Sequence, residues 1–200
     1  EIYTLSLHDA LPIFGAEKEK MLKGVPYDAS DRELREIFHR AKDILAVFNA
    51  SGSRDIRKRT ECLHSLLGFT GSNVYIEPPF YCDYGENIYF GDNVYMNVNC
   101  VILDCGKVTV GSNVLFGPNV QIYAASHPLR GKERVVDGKI TDISLPVTIG
   151  SDVWIGGGSI ICPGIKIGDN VVIGAGSVVT KDIPSNCVAA GNPAKKIKEL

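Results

Sequence analysis

His127 stands where a regular sequence loses its rhythm. It lies near the start of IYAASHPLRGKERVVDGKITDISLP, residues 122–146, just after the small run Ala124-Ala125-Ser126 that leaves room around an imidazole. On both sides of that stretch an aliphatic residue recurs at every sixth position; inside it none does. Because the phase recovers at Val147, residues 127–146 are predicted to be an excursion from one corner of a regular scaffold. Long loops of this kind usually carry function or lack order. A histidine at the root of the loop is held by rigid chain yet open to a ligand. An imidazole, with an ordinary pKa of about 6.5, suits proton transfer at neutral pH. The other histidines are His8, His39 and His64, so His127 is the sole histidine of the repeat region. Spacing alone leaves a plain surface histidine as an equal competitor. Asp142, in the same excursion, reads either as a carboxylate that orients His127 or as a solvated one.

The scaffold that must hold this residue is written in the repeat. Ile88, Val94 and Cys100 are six apart, and Val108, Val114 and Val120 resume the spacing after two extra residues in Asp104-Cys105-Gly106-Lys107. After the excursion Val147, Val153, Ser159, Ile165, Val171, Ser177 and Ile183 keep it without error. Such a period is neither helical nor hairpin-like. Each unit supplies a short strand and a corner, and three units close one triangular coil. Glycine and asparagine serve the corners, and stacked coils bury a continuous aliphatic column. A β-sandwich turns every ~8–12 residues and would not hold a six-residue phase. The predicted fold class is mainly β: a parallel β-helix of hexapeptide repeats with a small α-helical N-terminal segment.

Three regions follow. Residues 1–15 differ in composition from the rest and are read as a non-native or disordered leader. Residues 16–70 form the helical segment, and residues 71–200 the β-helix with its excursion at 127–146 and a C-terminal tail. In the helical segment Ser30-Asp31-Arg32-Glu33 matches a capping box with Ser30 as the cap. Leu34, Ile37, Phe38, Ala41, Leu45 and Phe48 then give one apolar face. A second helix is expected from about Ser53 to Leu67, stopped by Gly68. The pair reads as a lid or appendage, too small to be an independent core. A net charge of -2 gives no global attraction to nucleic acid or acidic membranes, and no apolar run is long enough to span a bilayer. The six cysteines contain no Cys-x-x-Cys pair and read as free packing thiols of a reducing cytosol rather than a disulfide framework or zinc site.

The order of "EPPFYCDYGENIYFGDNVYMNVNCVILD", "SHPLR", "LPVTIGSDVWIGGGSIICPGIKIGDNVVIGAGSVVTKDIP" and "AAGNPAKKIK" resembles the maltose and galactoside O-acetyltransferases, a branch of the hexapeptide-repeat acyltransferases. The segment "EKEKMLKGVPYDASD" is similar to their N-terminal start, so the likeness spans almost everything from Glu17 to Leu200. The resemblance implies a left-handed coil and acetyl transfer from acetyl-CoA to a sugar hydroxyl, without a metal. It also implies a cytoplasmic homotrimer with active sites between adjacent solenoids. It implies His127 as general base and Asn97, of Tyr95-Met96-Asn97, as donor to the tetrahedral oxyanion. For coenzyme A it implies Trp154, Gly157, Ala175, Thr180, Lys181, Lys195 and Lys198. Gly157 stands where the galactoside enzymes have serine, so only its backbone can make that contact. Lys195 and Lys198 stand where the family has arginine, giving charge without a bidentate fork. For the acceptor it implies Tyr95 and Asp83, besides Asn97 and His127. Ala29 stands where an aspartate is usual, with Asp28 and Asp31 nearby, and Phe38 replaces a basic residue.

Three rival readings accompany this one. A γ-type carbonic anhydrase would need three histidines on zinc, and this repeat region has one histidine. A non-enzymatic scaffold would bind no coenzyme A. A closer alternative keeps the chemistry and changes the acceptor to a lipo-oligosaccharide or a xenobiotic hydroxyl.

Overall fold

The computed structural model describes residues 15–200. His8 and, apart from Gly15, the expected leader lie outside the described residues. Strands follow one another around a three-sided prism. The first side stacks Phe69–Thr70, Ile88–Phe90, Val108–Val110, Val147–Ile149 and Lys166–Ile167. The second stacks Tyr75–Ile76, Tyr95–Met96, Leu115–Phe116, Trp154–Ile155, Val171–Ile173 and Cys187–Gly191. The third stacks Phe80–Cys82, Cys100–Leu103, Gln121–Tyr123, Ile160–Ile161 and Val178–Val179. Pairing between coils is parallel, with Ile88 against Val108 and Trp154 against Val172. Val147 pairs with Val108 across the excursion, so the twenty-odd intervening residues leave the ladder intact.

Side-chain sterics explain why the sixth residue is so constrained. The phase residues are buried in one column, and so, up to Val179, are those two positions later, such as Met96 after Val94 and Ile155 after Val153. Ser159 and Ser177 occupy the same inward phase without a penalty, because their hydroxyls donate to the carbonyls of Gly156 and Gly174. At one row of corners Asn73, Asn93, Asn113 and Asp152 all adopt positive φ. Their side chains form a ladder of 2.9–3.0 Å bonds up the prism. Asparagine and aspartate tolerate that conformation better than other side chains do.

Three helices precede the coils: α1 (Ala16–Lys23), α2 (Arg32–Asn49) and α3 (Ile56–Leu66). Sequence reading delineated only the latter two. Ala41, Leu45 and Phe48 of α2 and Leu63 and Leu66 of α3 join the solenoid core, so these helices plug the open end of the prism. Asn49 fixes the joint by exchanging two 2.9 Å bonds with the backbone of Phe80. The expected capping box is replaced by a different cap. Asp31 is the N-cap and accepts from the amides of Glu33 and Leu34, while the Ser30 hydroxyl is taken up by Asp28. A carboxylate at that position also meets the positive end of the helix dipole. The α3 helix starts at Ile56, three residues later than expected, because Asp55 turns back to accept the amide of Gly52. The expected tail is a strand, Ala194–Glu199, folded back antiparallel on Cys187–Gly191. All six cysteines are free thiols, with Cys82, Cys100 and Cys187 buried.

Candidate active site

The corner between the third and first sides departs from the repeat in three successive coils. Asp83-Tyr84 follows Phe80–Cys82, Asp104-Cys105 follows Cys100–Leu103, and the His127 excursion follows Gln121–Tyr123. Stacked on one another, these departures open a cleft of about 810 Å³. Its floor is Tyr84 and Cys105 with Tyr27, Ala29 and Phe38 from the helical segment; Asp83, Asp28, Asp142 and His127 supply its polar groups. The excursion carries regular structure of its own. It leaves and returns as the antiparallel pair Ala125–Ser126 and Ile143–Ser144, and carries a hairpin, Val135–Val136 with Lys139–Ile140, at its tip.

The return leg of the excursion fixes the histidine. His127 Nδ1 lies 3.1 Å from the Thr141 carbonyl oxygen and 3.2 Å from Asp142 Oδ1. A carbonyl oxygen can only accept, so Nδ1 carries the hydrogen and Nε2 presents a lone pair. That leg is held in turn by the helical segment. Tyr27 and Asp142 exchange backbone bonds, Lys139 pairs with Asp28 at 2.8 Å, and the Ser144 hydroxyl donates to the Met21 carbonyl.

Burial raises the Asp142 carboxyl above its ordinary range, partly offset by His127. The Lys139 ammonium, helped by Ser30, holds Asp28 at about 2. Burial pushes the Cys105 thiol up to about 12, which makes it an unreactive part of the floor. Beneath them Asp104 is fully buried and accepts from the amides of Asp83 and Tyr84 at 3.0 and 2.9 Å. Burial outweighs those donors and lifts its pKa to about 6. Asp83 itself faces Lys42 at 3.6 Å. Among the described residues, no three His, Cys, Asp or Glu side chains converge as a metal site.

Of the expected site residues, His127, Asp83, Ala29, Phe38, Asp28 and Asp142 share this cleft, while Asp31 is spent on the helix cap. Asn97 and Tyr95 are elsewhere. Asn97 sits at the corner between the second and third sides, a full side of the prism away from His127. Its Oδ1 accepts the Val98 amide at 2.8 Å, which leaves its side-chain amide hydrogens to point outward or to a ligand. Above Asn97 the same corner is built from Gly117, Gly157 and Ala175, linked coil to coil by backbone bonds. Only small residues fit: a Cβ on Gly117 would lie 2.5 Å from the Gly157 nitrogen. Trp154, 56% exposed, stands outward in register with Leu115 and, below it, Tyr95. Thr180 and Lys181 lie at the His127 corner two coils on, and Lys195 and Lys198 on the final strand beside Ala190 and Val188. The expected contacts therefore fall on two separate edges of a single chain.

Tyr27, Tyr84, Cys105 and Asp104 were not anticipated. The signal for two of them was present, since Asp104 and Cys105 belong to the insertion that breaks the six-residue phase.

Comparison with known proteins agrees with this fold. Residues 146–181 match the family described as bacterial transferase hexapeptide (six repeats), and residues 20–71 match the maltose acetyltransferase hexapeptide capping motif. The crystal structure of a maltose O-acetyltransferase from Clostridium difficile 630 is 48% identical, with a TM-score of 0.89, over 92% of this chain and 97% of that one. A galactoside acetyltransferase in complex with coenzyme A is 42% identical, with a TM-score of 0.87, over 92% and 90%. Nodulation protein L of Rhizobium meliloti (strain 1021) is 47% identical over 179 residues, covering 90% and 96% of the two chains.

Proposed function

The chain belongs to the hexapeptide-repeat acetyltransferases of the maltose and galactoside type, and from that membership we propose transfer to a sugar hydroxyl with His127 as general base. That it is an acetyl-CoA-dependent acetyltransferase follows from the family; the acceptor and the catalytic residues are the proposal. The scaffold reading falls with that membership. The observation that carries the mechanism is the capture of His127 Nδ1 between the Thr141 carbonyl and Asp142. Nε2 is thereby left as a base of fixed orientation. It takes the proton of the acceptor hydroxyl as the oxygen attacks the thioester carbonyl. The tetrahedral oxyanion then receives a hydrogen bond from Asn97, and the proton passes to the departing thiolate.

Within one chain that assignment does not close. Asn97 and His127 stand at opposite edges of the third side, about six residues of extended chain at ~3.3 Å each. Two copies placed side by side solve the problem, with the cleft of one facing the Asn97 edge of the next. A stripe of half-buried Tyr95 with exposed Leu115 and Trp154 along the Asn97 edge supports such a neighbour. We take the assembly to be a homotrimer with three shared sites. Coenzyme A then runs along the small-residue corner of Gly157 and Ala175 beside Trp154. Thr180 and Lys181 line the opposite edge, and Lys195 and Lys198 supply charge for its phosphates. The free thiols support a cytoplasmic setting.

A second reading of the acceptor rests on the cleft floor. Ala29, Phe38, Tyr84 and Cys105 favour a hydroxyl carried by an apolar group, as in a lipo-oligosaccharide or xenobiotic. An acceptor panel, followed by free thiol released from acetyl-CoA, separates the two. His127→Ala is expected to melt like the wild type and to lose about 10³-fold in transfer. Undiminished transfer by that variant would remove His127 from the mechanism.

A further inference from the structure

We propose that Arg59 and Tyr75, which the reaction itself does not touch, are positioning residues that set the ring of Tyr95 on the edge that, in the proposed assembly, faces the acceptor cleft of the neighbouring subunit. The inference rests on the placing of Tyr95 beside the acceptor, and the network itself is independent of it. Arg59 is an α3 side chain only 5% exposed. Its Nε donates to Ser51 Oγ at 2.9 Å, one terminal nitrogen reaches the Tyr75 hydroxyl at 3.1 Å and Glu77 Oε2 at 3.4 Å, and the other reaches the Ser51 carbonyl at 3.5 Å.

An apolar residue would anchor α3 to the solenoid without the desolvation of a guanidinium, so the burial of a charge calls for a reason beyond packing. The polar partners supply one. Tyr75 and Tyr95 are in register on successive coils, and their rings lie parallel, 2° between planes with centroids 6.1 Å apart. That is an offset stack, which transmits the tilt of one ring to the next. Arg59 holds the hydroxyl of the lower ring, the lower ring holds the upper, and Tyr95 is two residues from Asn97. Among the described residues no side chain is hydrogen-bonded to the Tyr95 hydroxyl, so the ring is held by packing, stacked on Tyr75 on one side and in register with Leu115 on the other. The helical segment thus acts on both halves of a shared site: Tyr27 and Asp28 steady the histidine edge, Arg59 the tyrosine edge.

The test is a steady-state comparison of full-length variants, with a thermal melt of each. Tyr75→Phe keeps the stack and loses the Arg59 bond; it is expected to raise the acceptor KM about threefold. Tyr75→Leu loses the stack and is expected to raise it about tenfold, with the acetyl-CoA KM unchanged in both. In a Tyr95→Ala background neither substitution should change the acceptor KM further. Arg59→Lys serves as a third variant and should resemble Tyr75→Phe. If Tyr95→Ala raises the acceptor KM while Tyr75→Leu does not, or if the two effects simply multiply, the positioning role is overturned and the placing of Tyr95 survives. If Tyr95→Ala leaves the acceptor KM at the wild-type value, both are overturned. Equal losses for the two substrates that track the melting temperature would reduce Arg59 and Tyr75 to structural supports and overturn the proposal.

Discussion

Co-expressing His127→Ala and Asn97→Ala chains, each nearly inactive alone, is expected to restore about one-quarter of the wild-type rate per site. The figure follows from the geometry. In one chain the two residues lie a full side of the prism apart, too far to serve one thioester, so in the proposed assembly a working site would take its histidine from one subunit and its asparagine from the next. In a random mixture of equal parts, half the chains keep His127 and half keep Asn97. An interface is intact only when a His127-bearing edge meets an Asn97-bearing edge, which happens at about one interface in four. The background is low, since loss of a general base costs about 10²–10⁴-fold and loss of an oxyanion donor about 10²–10³-fold. The mixture should therefore exceed either parent by at least about tenfold. Thiol release from acetyl-CoA reads the rate, and two affinity tags allow mixed trimers to be purified away from the parents, where the expected figure rises to about one site in three. A site confined to one chain would leave every mixed assembly as inactive as its parents. That result would refute the shared site and the role given to Asn97 within it.

Asp142→Asn is expected to lower kcat by about tenfold only, because the Thr141 carbonyl still receives Nδ1–H and keeps the tautomer. A loss as large as that of His127→Ala would show that the carboxylate, not the carbonyl, orients the ring. Trp154→Ala should raise the acetyl-CoA KM about tenfold with kcat almost unchanged, as the loss of a large half-exposed aromatic contact implies; calorimetry with coenzyme A checks it, and unchanged affinity would assign the indole to subunit packing alone. Asp104 gives a pH signature. Its carboxyl titrates near 6 in the folded chain against an ordinary 3.8, so the protonated form is favoured by folding. Its contribution is full below about pH 4 and is lost as pH rises through 6, a change of about 3 kcal/mol. Denaturant melts of Asp104→Asn should lack that decline between pH 4 and 7, and parallel profiles for the two proteins would remove the assignment.

The prism was legible because a repeat gives every sixth side chain the same surroundings. Val94, Val153 and Val171 are each closed in by neighbours a coil above and a coil below, so steric demand alone enforces the period. The cleft obeys no such rule. It gathers Tyr27, Tyr84, Cys105 and His127 from four separate stretches, and none carries a spacing that points to the others. Their common feature is where the period fails: the departures after Cys82, Leu103 and Tyr123 fall at the same corner of consecutive coils. The insertion at Asp104-Cys105 was visible as two surplus residues, but its meaning depends on knowing which corner lies above it. That knowledge comes only from coil length and register. The helix cap shows the same limit at smaller scale. Ser30 fitted the capping pattern, yet Asp28, two residues earlier, competed for its hydroxyl while Lys139 fixed Asp28 from a hundred residues away. Local pattern predicts a residue well when its neighbours in sequence are its neighbours in space. In this chain that holds for the interior of the coils and fails at the corner where the cleft opens. Departures from the repeat, taken coil by coil, are therefore the part of such a sequence that carries functional information.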